Sequence, residues 1–323
     1  MSVEVSRPHL WETSLSTKPD DADLVRVNAP QSFFRGFGGA VRQVWLFREL
    51  LVNLVRKELK VKYKDSVLGF LWSLVRPLCL LIIYWLVFGK FFSAGIPNFA
   101  FYLFAGLVAW DLFLSTLNAA TTSIVSNSGL VKKVYFPREI LPLATIGAGL
   151  VHFILQVLVL VSVLLAFRFD FFGPNLALFP IAIVALVLFM TSVCLLLSAV
   201  NVYLRDVQHL IEVFLLMWFW LTPVVYPVNF ALTSLKKYSV LGIDMATVYM
   251  LNPMTNIVIA FQRAFYKNMV VIDSKGQPVK ALYVAPYSSY LGRLAAVVVV
   301  SLGLIWLSQR IFARAQGNFA QEL

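Results

Sequence analysis

Lys60, Lys62 and Lys64, with Tyr63 among them, close a basic run that starts at Arg56 and leads through Ser66, Leu68, Gly69 and Trp72 to Pro77, at the edge of an apolar wall. Lysine ammonium groups act as mobile point charges, so a cationic collar here offers anionic head groups a seat. That is recognition chemistry, and residues for catalysis are sparse. His9, His152 and His209 are too scattered for a metal site or a triad, and His152 reads as a packed or hydrogen-bonded helix residue. Cys79 and Cys194 sit inside apolar runs and read as small core residues. The Gly89-Lys90 pair is followed by Phe91 where a phosphate loop needs Ser or Thr, and Tyr84 stands where its first glycine belongs. No catalytic residue, metal or cofactor is expected in this chain. If it moves cargo with ATP, another chain holds the ATP and magnesium.

The elements that position these residues must lie in lipid. The chain has 323 residues, 60% of them hydrophobic and 13% charged, against roughly 25% charged in soluble domains. With a mean hydropathy of +0.80, this points to an all-α, multi-pass integral membrane protein. The net charge of +11 is what lysine and arginine flanking transmembrane spans produce, so nucleic acid is not expected as a partner. Residues 1–40, with Pro8, Pro19, Pro30 and the acidic Asp20, Asp21 and Asp23, read as a mobile cytoplasmic tail without the apolar stretch of a signal peptide. Residues 41–66 read as an amphipathic interfacial helix and basic turn, in which Val44, Phe47, Leu51, Leu54, Val55 and Leu59 recur at helical spacing.

Residues 67–312 then hold six predicted spans, about 67–91, 100–124, 141–166, 176–199, 210–228 and 288–309, each near the roughly 20 apolar residues that cross a bilayer. Residues 313–323 form a second cytoplasmic tail. Lys132, Lys133 and Arg138 in one loop, Arg205 in another, and Arg310 and Arg314 at the end put both termini in the cytoplasm. The basic external segment 229–287 runs against that rule, which weighs long loops lightly. Within it, the apolar stretch 247–266 is broken at Asn252-Pro253 and predicts a re-entrant helical hairpin.

Three further features carry two readings each. Arg76 and Asp111 fall at a similar depth, roughly 14 Å above the inner surface at 1.5 Å per residue, and form an intramembrane pair unless Arg76 snorkels and Asp111 caps or faces a wet channel. The aromatics near span ends form an interfacial belt; alternatively Tyr84, Trp85, Trp218 and Tyr226 line a path where rings stack on sugars. Residues 128–139 read as a short helix on the cytoplasmic face, either anchored on the membrane or seated in a partner's groove with Tyr135 and Phe136 as anchors.

Taken in order, the Lys-Tyr-Lys-Asp-Ser-Val-Leu-Gly-Phe-Leu-Trp run with Pro77, Ala105-Gly106-Leu107 with Trp110, Lys133-Val-Tyr-Phe-Pro137, Asn201-Val-Tyr-Leu-Arg205-Asp206, Thr222-Pro223 with Tyr226, and Asn252-Pro253 resemble the permease subunits of type-2 ABC polysaccharide exporters. That family exports O-antigen, capsule, teichoic acid and galactan, including the lipid-linked galactan of actinobacteria. The resemblance implies a homodimer in the bacterial inner (plasma) membrane, joined to two copies of a separate ABC ATPase. It implies that Lys60, Lys62, Tyr63 and Lys64 border the gate that admits a lipid-pyrophosphate-linked glycan. It further implies that 128–139 is a coupling helix, with Lys132, Lys133, Tyr135, Phe136, Arg138 and Glu139 meeting the ATPase, and that 229–287 forms the external gate. Asp111 and Arg76 depart from the family pattern. The other reading in the same class is an exporter of small hydrophobic drugs, while an enzyme acting on polyprenyl lipids would need convergent acids that these spans do not offer.

Overall fold

The long apolar runs become helices that stop where Ser, Asn, Gly and charged residues begin. In the computed structural model, residues 36–64, 72–87, 99–240, 242–266, 270–272, 278–280 and 282–323 are described. Helices α1 (Gly36–Leu46) and α2 (Arg48–Tyr63) are separated by a single turn residue, Phe47. The helical region thus starts five residues before the expected tail boundary. Helix α3 (Trp72–Tyr84) is followed by α4 (Phe99–Ser126), the short α5 (Ser128–Lys133), α6 (Ile140–Ala166), a 3-10 turn at Pro174–Ala177 and α7 (Leu178–Tyr203). Next come α8 (Val207–Trp220) and α9 (Val228–Leu235), then strands β1 (Ser239–Val240) and β2 (Ile243–Asp244), α10 (Met245–Met250) and α11 (Pro253–Phe265). Strands β3 (Val270–Ile272) and β4 (Pro278–Lys280), the long α12 (Tyr287–Ala315), a 3-10 turn and α13 (Phe319–Glu322) complete the chain.

Among the described residues, four helical stretches are long and apolar enough to cross a membrane: Phe99–Ser126, Ile140–Ala166, Pro174–Tyr203 and Tyr287–Asn318. They fall on the second, third, fourth and sixth expected spans. The fifth differs, because α8 stops at Trp220 instead of residue 228. Its 14 residues reach only about 21 Å, short of a hydrocarbon core of about 30 Å. The chain turns at Leu221–Pro227 instead. The first expected span is represented by α3 and a short π turn through Val87, with 65–71 and 88–98 outside the described residues.

Helix α4 is the centre of the fold, buried along most of its length. Its polar residues are tolerable there because their hydroxyls bond back to their own helix: Ser115 donates to the Asp111 carbonyl at 2.7 Å and Thr121 to the Leu117 carbonyl at 2.7 Å. Helix α12 packs on α7 through Tyr290, Leu294, Val297, Ser301, Ile305, Ser308 and Phe312, one stripe at helical spacing. The small residues in it allow close approach without a hydrophobic driving force. The expected tail 313–323 is docked, since Phe319 is fully buried against Phe312 and Tyr203.

The segment 229–287, expected to be external, is more structured than a helical hairpin alone. Two antiparallel ribbons, β1 with β2 and β3 with β4, flank the helices, and Gly242 supplies the positive φ of +79° that the first turn needs. The break at Asn252-Pro253 separates α10 from α11 as expected, and α11 is buried on nearly every side. Its close approach to α4 depends on Gly106, where an added Cβ would lie 2.9 Å from the Gln262 amide nitrogen. That amide donates to the Pro223 carbonyl at 2.9 Å. Gly106→Ala is therefore expected to displace Gln262 and cost about 1–2 kcal/mol, read as a lower melting temperature in detergent.

Candidate functional site

Helix α2 carries its charged residues to a defined place. Leu54 is buried and Val55 lies so close to Gly147 of α6 that a Cβ there would sit 2.8 Å from the valine side chain. With the helix fixed at that contact, Glu58 and Lys62, one and two turns further on, face α6 and α4. They line a cleft of about 210 Å³ together with Ser115, Thr116, Thr145 and His152. Two of the hydroxyls are committed, Ser115 to the Asp111 carbonyl and Thr145 to the Pro142 carbonyl. Thr116 is not: its Oγ1 is buried without a hydrogen-bond partner. Gly149 is required beside it, because a Cβ there would collide with that oxygen. A cation at the rim of one cleft and an unpaired hydroxyl buried in its wall suit an oxyanion.

The three expected lysines do not form one cluster. Residues two apart on a helix point to opposite sides, so Lys62 enters the cleft while the exposed Lys60 lies on the far face of α2, and Lys64 is the extended residue that ends the helix. The side chain of Tyr63 lies outside the described residues. Glu58, Thr116 and Thr145 were missed in the sequence, although the i, i+4 spacing of Glu58 and Lys62 carries the signal.

The loop after α4 is pinned at its root and open at its tip. Lys57 donates to Asn127 Oδ1 at 2.6 Å, tying α2 to the start of α5. Only 128–133 of the expected 128–139 helix is helical. Beyond it the backbone extends and neighbouring side chains diverge: Tyr135 is 77% exposed and Phe136 only 5%. Phe136 packs with Leu54, Val131, Ile140 and Phe312, so it is a root residue and not a surface anchor. Arg138 donates to the Gln316 carbonyl, and Glu139 accepts from Gln309 Nε2 at 3.0 Å. Burial pushes the Glu139 carboxyl above the ordinary glutamate range, opposed by that amide. Lys132, Lys133, Val134 and Tyr135 remain as the exposed tip.

The other expected site residues lie apart from these. Trp218 donates to Asn252 Oδ1 at 3.1 Å, and Tyr226 donates to the Trp220 carbonyl at 2.8 Å, so both fasten the end of α8 and the turn that follows it. Trp85 is exposed at the end of the α3 stretch, while the side chains of Tyr84 and Arg76 lie outside the described residues. Asp111 accepts from Gln156 Nε2 of α6 at 2.8 Å. Among the described residues no group of three or more His, Cys, Asp or Glu gathers to hold a metal.

The sequence profile described as ABC-2 type transporter matches residues 49–266. The O-antigen export system permease protein RfbA of Myxococcus xanthus is 31% identical over 283 residues, covering 88% of this chain and 98% of that protein. A protein of the same description from Klebsiella pneumoniae is 32% identical over 181 residues, covering 55% of this chain and 69% of its own length.

Proposed function

The chain belongs to the ABC-2 type transporter family, and from that premise we propose that two copies of it, joined to two copies of a separate ATPase, export a lipid-pyrophosphate-linked polysaccharide across the bacterial inner membrane. It is a permease subunit and not an enzyme. The observation that carries the reading is its alignment with almost the whole of an O-antigen export permease. In this reading the chain has six spans with both termini in the cytoplasm, α8 making up the fifth only together with the turn at Leu221–Pro227, and the elements around α10 and α11 act as an outer gate. The nucleotide and its magnesium stay in the partner.

The cleft at the end of α2 supports the cargo assignment. Lys62 supplies positive charge and Thr116 a hydroxyl to a pyrophosphate, while Lys60 and Lys64 draw anionic head groups toward the helix from outside. Glu58 on the same face tempers the charge, so the cleft selects by hydrogen bonding as well as by sign. Affinity purification in mild detergent tests the whole reading: a stoichiometric ABC ATPase and a glycolipid are expected to travel with the chain. A co-purified ATPase with drug extrusion and no glycan would favour an exporter of hydrophobic drugs.

The ATPase would meet the exposed tip formed by Lys132, Lys133, Val134 and Tyr135, and Arg138 and Glu139 would transmit its movement to α12. Tyr135→Ala is expected to lose the ATPase on a pull-down while leaving the permease fold intact. Phe136→Leu is expected to do the reverse, keeping the partner and costing about 1 kcal/mol of stability. Loss of the partner from both variants alike would mean that the root, and not the tip, makes the contact.

A further inference from the structure

A second cleft, of about 380 Å³, opens between α3, α4 and α8, within the size range of small-molecule sites. Two helical stripes build it. Leu107, Trp110, Asp111, Leu114 and Asn118 follow one another down one face of α4, and Glu212, Leu215, Leu216 and Phe219 do the same on α8, with Leu80 of α3 closing the side. Asp111 and Glu212 can only accept when ionised, and Asn118 can accept through Oδ1 and donate through Nδ2. Asp111 spends one oxygen on Gln156, which leaves other lone pairs of its carboxylate for a further donor. Glu212 adds a second carboxylate, and Asn118 Oδ1 is buried with no hydrogen-bond partner.

Resting on the exporter reading, we propose that this cleft is a saccharide station on the cargo path, in which Asp111, Glu212 and Asn118 accept hydrogen bonds from sugar hydroxyls. Paired carboxylates repel the pyrophosphate end of the cargo and suit its neutral part, which presents many O–H donors and no charge. The leucines with Trp110 and Phe219 form an apolar wall for the C–H face of a sugar ring. Each carboxylate–hydroxyl contact is charge-assisted, and hydroxyls recur along any glycan, so the station accepts successive residues without demanding one register. Trp218 and Tyr226, by contrast, are committed to the end of α8 and the turn that follows it.

Photocrosslinking in cells carrying the complete exporter tests this. The benzophenone amino acid p-benzoylphenylalanine is placed at Leu216, which is 65% exposed on the rim of the cleft, or at Val299 of α12, which is 68% exposed and outside it. Metabolically labelled glycan is expected to couple at 216 and not at 299. Asp111→Asn with Glu212→Gln is expected to lower the adduct about tenfold while the ATPase still co-purifies. Export without any glycan adduct at 216, or with lipid adducts alone, overturns the station and leaves the exporter reading standing. Absence of glycan export by the parent chain overturns the exporter reading itself. Recovery of Asp111→Asn by Arg76→Gln would mean that the carboxylate balances a cation, and would also remove it from the station.

Discussion

Lys62→Glu is expected to lower glycan export at least about tenfold, because a charge-assisted hydrogen bond contributes roughly 1.5–3 kcal/mol and each 1.4 kcal/mol is a factor of ten. The reversed charge also places a second carboxylate beside Glu58 in the same cleft, so an oxyanion meets repulsion where it had met attraction. Lys60→Glu is expected to keep export within about twofold, since an exposed charge on the far face of α2 is screened within roughly a Debye length. The measurement is lipid-linked glycan retained in the cytoplasm, with ATPase co-purification as the control for assembly. Thr116→Val sharpens the comparison, removing a buried hydroxyl with no partner in the chain. It is expected to weaken export without destabilising the permease. Equal losses at Lys60 and Lys62 would show that the lysines act as a diffuse collar and would remove the cleft from the mechanism.

That contrast turns on helical phase, which the sequence already carried. Once 41–64 is read as a helix, residues 60, 62 and 64 cannot share a face, yet a run of lysines invites treatment as one patch. The long spans were legible because α4, α6, α7 and α12 are apolar runs with polar ends, and lipid leaves a backbone few other choices. The early stop of α8 was not, since Leu221 to Val225 is as apolar as the helix before it and only the turn at Thr222-Pro223 hints at the break. The ribbons β1–β2 and β3–β4 are two or three residues per strand, too short for alternation to show. Tyr135 and Phe136 are indistinguishable by type, and only an extended backbone that points neighbours to opposite faces makes one a root and the other a tip. The docked C-terminus had a signal in the apolar Phe312 and Phe319 near the chain's end, whose rings meet across the 3-10 turn between α12 and α13.

Asn252→Ala is expected to be the most destabilising of the single changes considered, at about 3 kcal/mol. Asn252 Oδ1 accepts from the Met254 amide at 3.0 Å, capping α11, and from the Trp218 indole at 3.1 Å. Its Nδ2 donates to Thr222 Oγ1 at 3.3 Å. One side chain therefore joins the start of α11, the end of α8 and the turn that follows. Loss of the cap costs about 1 kcal/mol, and leaving the indole N–H without its acceptor costs about 1–3 kcal/mol. In a chain of this size that lowers the melting temperature by roughly 5 °C, followed by thermal unfolding of the detergent-solubilised protein. Asn252→Asp separates the contributions, because a carboxylate keeps both acceptor contacts and surrenders the Nδ2 donations to Thr222 Oγ1 at 3.3 Å and to the Leu221 carbonyl at 3.5 Å. It is expected to retain most of the stability. If aspartate proved as damaging as alanine, the Nδ2 donations would be the contacts that matter, and the rigidity of α10 and α11 would rest on the turn at Thr222-Pro223 and not on the cap of α11.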